Sequence, residues 1–212
     1  MAGFRTHVTV STICGVLYGA AVKPMGFDPA TAFLAAGVTG VGGMLPDLDS
    51  DSGIPVREMT SLAAAVLPML LIPRIEHAGV GQESMIVAVI TLYFVIRHVG
   101  AYLLKSLSVH RGMFHSIPAM AIAGLVVYLA YDSPNVQIRL TLAAGVMIGF
   151  LSHLVLDELY SVDFNGLRIR LNSFAGSAVK FVSPSWFGTC VCYLMLGGLG
   201  WLALKDSQQY LK

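Results

Sequence analysis

His153 and Asp157 stand four residues apart in the apolar run Ser152-His153-Leu154-Val155-Leu156-Asp157. On a helix this spacing places both on one face. An imidazole nitrogen and a carboxylate oxygen pointing the same way are both zinc ligands. The other chemistry open to such a pair is a His–Asp hydrogen bond that ties off a helix end. A second group is His110-Arg111-Gly112-Met113-Phe114-His115-Ser116, just ahead of Ile117-Pro118. A regular helix would splay two histidines five residues apart by roughly 140°, but Gly112 lets the segment turn so that both can face one cavity. Arg111 beside them suits a phosphate or carboxylate oxygen. A proline so near a helix start fits the first turn, which makes Ser116 or a neighbour the natural cap. The third group is Pro46-Asp47-Leu48-Asp49-Ser50-Asp51-Ser52-Gly53. Its alternating acids can offer oxygens to one or two cations. Asp47, Asp49, Asp51, Ile54 and Glu58 also fall at positions 1, 3, 5, 8 and 12 of an EF-hand calcium loop. The glycine expected at position 6 is Ser52, Gly53 comes one place late, and Pro55 follows. His7, near the N-terminus, completes the set.

The chain that must position these groups is unusually apolar. Of its 212 residues 56% are hydrophobic and only 12% charged, with a mean hydropathy of +0.73. Soluble domains carry about 25% charged residues, so an ordinary soluble enzyme is disfavoured and a disordered chain excluded. A net charge of +1 offers no basic face for nucleic acid. Cys14, Cys190 and Cys192 form no even-numbered disulfide framework. Apolar stretches fall at about 8–22, 30–45, 61–72, 85–107, 117–131, 138–156 and 187–204. The first and third are shorter than the ~17–25 residues of a membrane span. The third contains Pro68, and Arg97-His98 interrupts the fourth. The expectation is an all-α polytopic membrane bundle of about six or seven helices, one domain over 1–212, with a polar site near one membrane face. The first stretch reads as a retained helix rather than a cleaved signal, with Thr6 as its cap. Glycines clustered at Gly37, Gly40, Gly42 and Gly43, and at Gly197, Gly198 and Gly200, are expected where helix backbones approach closely.

Seven crossings put the N-terminus and the second, fourth and sixth loops on one side. That side holds His7, the Asp47–Asp51 acids, His110, His115 and the His153–Asp157 pair, so four of the six histidines and four of the twelve acids converge there. Ionisable groups at membrane depth are costly and usually pair, bind ions or line a cavity. Eight basic residues on this side against five on the other mark it as cytoplasmic under the positive-inside rule.

The N-terminal histidine, Leu45-Pro46-Asp47-Leu48-Asp49, His110 through Ser116 and His153 through Asp157 together resemble the YdjM-like proteins. These are bacterial and archaeal inner-membrane proteins predicted to be membrane-bound metal-dependent hydrolases and sometimes labelled LexA-binding. The resemblance covers roughly residues 7–157. It implies a divalent-metal hydrolase with His7, Asp47, Asp49, His110, His115, His153 and Asp157 as metal ligands. The ions would be one or two, zinc before calcium, since histidine-rich ligation favours first-row transition ions. In that reading a metal-activated water attacks, Asp51 or His115 moves the proton, and Arg111 steadies developing negative charge. The expected partner is membrane lipid, with a phosphoester at headgroup level as substrate. Two other classes compete: an ion or proton transporter, which should spread ionisable groups through the membrane depth, and a calcium-stabilised structural protein built on Asp47–Glu58. After Asp157, Leu167-Arg168-Ile169-Arg170-Leu171 alternates in character. That pattern predicts an extended stretch that could roof the site, with Phe174, Phe181 and Trp186 against acyl chains.

Overall fold

The protein, described by a computed structural model, is set out for residues 3–49, 54–102, 113–165, 168–171, 176 and 179–210. Its elements follow the apolar stretches: α1 (Phe4–Val22), α2 (Pro29–Gly42), α3 (Ile54–His77), α4 (Gln82–Phe94), α5 (Ile117–Ala130), α6 (Val136–Leu159) and α7 (Trp186–Tyr210). A hairpin of β1 (Val162–Asn165) and β2 (Arg168–Leu171) lies between α6 and α7. It is antiparallel, with Asp163 opposite Arg170. The alternation after Asp157 is therefore extended, as expected.

Local chemistry sets several of the boundaries. Asp28 caps α2, its Oδ1 accepting from the Ala30 and Thr31 amides ahead of Pro29 in the first turn. Ser116 caps α5, its Oγ accepting from the Ala119 amide, and Asn135 caps α6 through the Gln137 amide. Thr6 does not cap α1: the helix begins earlier, at Phe4 with Gly3 as the cap residue, because the Gly3 carbonyl already accepts from the Thr6 and His7 amides. α4 runs on into a π-helical turn at Val95–Gly100 that holds Arg97 and His98. There Arg97 Nη1 reaches Thr60 Oγ1 on α3 at 3.4 Å, so the interruption of the apolar run is tied to a neighbouring helix.

Among the described residues four helices are long and apolar enough to cross a membrane: Phe4–Met25, Gln82–Gly100, Val136–Leu159 and Trp186–Gln208. The first stretch is thus long enough once its full helix is counted. The third becomes a 24-residue helix through Pro68 and Pro73, although it is not among those four. The bundle is apolar outside. Phe33 is 81%, Leu194 75% and Leu17 64% exposed, whereas Ser11, Thr39, Ser116, His153 and Arg139 are buried. Apolar patches on this scale suit a lipid surround rather than water.

α6 is the central helix, packed on α1, α2 and α5; α7 packs on α5, and α3 pairs chiefly with α4. At Gly149 of α6 a side chain would collide with the Thr39 carbonyl and the Gly43 backbone of the α2 end, and one at Gly42 would strike Val146. Backbone contact of α2 with α6 therefore requires glycine at both places. Gly15 and Gly19 of α1 do the same against Ala36 and Ala32. The expectation fails at Gly37, Gly197, Gly198 and Gly200, which have no heavy atom within reach among the described residues. The glycine-rich face of α7 packs on nothing described.

Candidate metal centre

Helices that run alternately up and down bring their ends together, and four such ends meet here. His7 comes from the first turns of α1. Asp47 lies on the 3₁₀ turn Pro46–Asp49 that follows α2. His115 lies in the turn ahead of α5, and His153 and Asp157 occupy the last turns of α6. His7 and His115 are each 3%, His153 1% and Asp157 5% exposed. Phe150 and Leu154, packed with Leu45, Ile117 and Met120, form the apolar core at this end of α6.

The donor atoms converge, most of them beyond hydrogen-bonding distance of one another. Asp157 Oδ1 lies 3.3 Å from His7 Nε2, and Asp157 Oδ2 lies 3.8 Å from His115 Nε2 and 3.9 Å from His153 Nε2. Asp47 Oδ1 lies 3.7 Å from His153 Nε2. An N–H···O hydrogen bond spans about 2.7–3.2 Å, so the His115–Asp157, His153–Asp157 and Asp47–His153 separations are too long and that of His7 from Asp157 is at the limit. They do match the ligand–ligand edge of a tetrahedral zinc site, about 3.4 Å for bonds of 2.0–2.1 Å. Two triplets, His7–His153–Asp157 and Asp47–His115–His153, each hold their donor atoms within 4.8 Å of one another. Each triplet gathers atoms of the kinds that ligate metal ions.

His153 is held for such a task. Its Nδ1 lies 2.7 Å from the Gly43 carbonyl oxygen, so Nδ1–H donates there and the lone pair of Nε2 points into the cluster. His153 Nε2 and Asp157 Oδ1 are buried with no hydrogen-bond partner among the described residues. Such groups are expensive to bury unless something satisfies them. The close contact of Gly43 and Gly149 is what brings that carbonyl within reach of the imidazole.

Residues 1–171 match the family model described as YdjM inner membrane protein. The chain belongs to that family. All five clustered residues fall within the matched region, and α7 lies beyond it. No curated protein and no solved structure matches the chain.

Of the residues the sequence singles out, His7, Asp47, His115, His153 and Asp157 come together. Asp51, His110 and Arg111 lie outside the described residues, as do the side chains of Asp49 and Glu58 and the whole of Phe174. His77 ends α3 and its Nδ1 lies 3.1 Å from Asp132 Oδ2; His98 stacks on Phe94. Neither belongs to the cluster. Sequence reasoning missed the Gly43 carbonyl, since a backbone acceptor carries no residue-type signal. It also missed Glu158, whose carboxylate accepts from the Gly176 amide at 2.8 Å and the Val179 amide at 3.4 Å. An acid beside a candidate ligand was the available clue.

Proposed function

We propose that this chain is a membrane-bound, divalent-metal-dependent hydrolase acting on a phosphoester at the level of the lipid headgroups. One observation carries the reading: three imidazoles and two carboxylates converge at N···O separations of 3.3–3.9 Å, three of the four beyond hydrogen-bonding distance and all suited to shared ligation. The donor set fits zinc or another first-row transition ion better than calcium, because three of the five groups are imidazoles. When bound, such an ion would supply Lewis acidity to polarise a phosphoryl oxygen and activate water. His7, His115 and His153 would offer neutral nitrogens, and Asp47 and Asp157 the negative charge that offsets the ion. Gly43 keeps His153 in the ligating tautomer. Asp51 would accept the proton of the attacking water, and Arg111 would hold a phosphoryl oxygen.

The segment after Asp157 supports access from lipid. The Lys180 carbonyl accepts from the Ile117 amide at 3.0 Å, and Glu158 holds Gly176 and Val179, so the segment returns to the two helix ends that carry His115 and Asp157. Beside it Phe181, Val182, Trp186 and Phe187 are exposed at a height suited to acyl chains. The excess of basic residues at this end supports a cytoplasmic orientation. A transport pathway is the weaker reading, because Leu140 through Ser152 of α6 contain no ionisable side chain.

The test is elemental analysis of the detergent-purified chain, followed by phosphate or headgroup release from phospholipid vesicles supplied with zinc. Zinc retention and turnover, both lost in His153→Ala, are expected. Retention of calcium alone, undiminished in His153→Ala, would overturn the proposal.

A further inference from the structure

The rings of His7 and His153 lie nearly parallel, their centroids 3.6 Å apart and their planes 14° from each other. Both Nε2 atoms face the same carboxylate: His7 Nε2 meets Asp157 Oδ1 at 3.3 Å and His153 Nε2 meets Oδ2 at 3.9 Å. An imidazole lone pair lies in the ring plane, so an ion bound well by a histidine lies near that plane. An ion shared by two stacked rings would sit out of both planes by about half their separation. That offset is nearly the whole of a ~2.0–2.1 Å metal–nitrogen bond, so the two histidines cannot both ligate one ion with good geometry. Their Nε2 atoms stand side by side instead, at about the ring separation, close to the ~3.5–4 Å spacing of the ions in two-metal hydrolytic sites. His115 differs. Its ring is inclined 62° to that of His153, so these two lone pairs can converge.

We infer that the cluster is a two-ion centre in which Asp157 is the bridge, Oδ2 joining His153, His115 and Asp47 around one ion and Oδ1 joining His7 on the other. The inference rests on the metal-centre reading above and assigns its stoichiometry and division of ligands. The first position has four protein ligands and binds tightly. The second has two among the described residues, binds more weakly, and leaves open positions for water and a phosphoryl oxygen.

The experiment uses the full chain in detergent, stripped by chelator and titrated with Mn²⁺, read by bound metal per chain and by electron paramagnetic resonance. Two Mn²⁺ per chain are expected, with a spin-coupled spectrum at saturation. His7→Gln should bind the first ion unchanged, weaken the second at least tenfold and give the six-line spectrum of an isolated ion. One Mn²⁺ per chain with an uncoupled spectrum at saturation would overturn the two-ion division and leave a one-metal centre standing. No bound metal at all would overturn both. Loss of both ions in folded His7→Gln, or loss of neither, would overturn the assignment of His7. Should His7→Gln not fold, the spectrum of the unaltered chain decides.

Discussion

The two ends of α6 both bury ionisable groups, and they satisfy them in opposite ways. Near its N-terminus Arg139 is fully buried, and its Nε and Nη2 donate to the Tyr128 carbonyl at 3.1 and 3.0 Å. The guanidinium lies over the Tyr128 ring at 4.1 Å, and Nη2 pairs with Asp206 of α7. Asp206 also accepts from Arg74 Nη1 of α3 at 3.0 Å. Cation and anion are both supplied by the chain, at hydrogen-bonding distance. At the other end Asp157 has three imidazoles around it, yet no pair lies closer than the 3.3 Å to His7. One imidazole has already given its Nδ1–H to Gly43. The difference lies in the donors. A guanidinium can only donate, and Nε and Nη2 of Arg139 meet a carbonyl and a carboxylate that accept from them. Carboxylates and imidazole lone pairs can only accept, so that end gathers acceptors that a cation would satisfy. The first end is a structural clamp joining α3, α5, α6 and α7; the second is the proposed metal site.

The comparison can be broken by mutation, and the largest effect is expected at the clamp. Asp206→Ala leaves Arg139 buried without its anion and should lower stability by roughly 3–5 kcal/mol, the usual loss when one member of a buried pair is removed. Thermal unfolding in detergent measures it, and Arg139→Met combined with Asp206→Leu should recover most of the loss. A single substitution no worse than the double would show that the clamp is not a coupled pair. At the other end the gain should come from outside the chain. Zinc at a hundredfold excess over its Kd should stabilise the protein by about 2.7 kcal/mol, and the increment should vanish in Asp157→Asn while leaving the metal-free Tm nearly unchanged. A large fall in metal-free Tm for Asp157→Asn would mean that the carboxylate is already satisfied.

Smaller effects sharpen the geometry. Gly149→Ala pushes α6 off the Thr39–Gly43 backbone, an overpacking that should remove about 1–3 kcal/mol. It should also weaken zinc binding by moving the Gly43 carbonyl away from His153, which calorimetric titration would detect. Gly198→Ala on the unpacked face of α7 should change Tm least, within the ±0.5 kcal/mol of a surface substitution. A large effect there would reveal a contact absent from the described bundle.

Much of the candidate site was legible because spacing and topology suffice for it. His153 and Asp157 share a face through helical periodicity alone. His7, Asp47 and His115 join them because alternating crossings bring those helix ends to one side. The clamp was not legible. Arg139 reads as a topological anchor near a helix start, and Asp206 stands 67 residues away in a segment with no motif. The failure at Gly197, Gly198 and Gly200 has the same origin: composition says that a glycine permits close approach, and only a neighbouring helix decides whether anything approaches.

The amino-acid sequence by itself determined that the chain is an apolar helical bundle, where its helices fall, and which ionisable groups gather at one end. These follow from local hydropathy, capping and the parity of crossings. Tertiary structure alone decided that most of the histidine–carboxylate separations are too long for hydrogen bonds, that His7 and His153 stack, and that Gly43 orients His153. It also decided that Arg139 finds its anion on α7. Those outcomes depend on how closely α2 and α6 approach and how the helices rotate about their axes. Both are set by packing summed over many side chains, which no single stretch of sequence encodes.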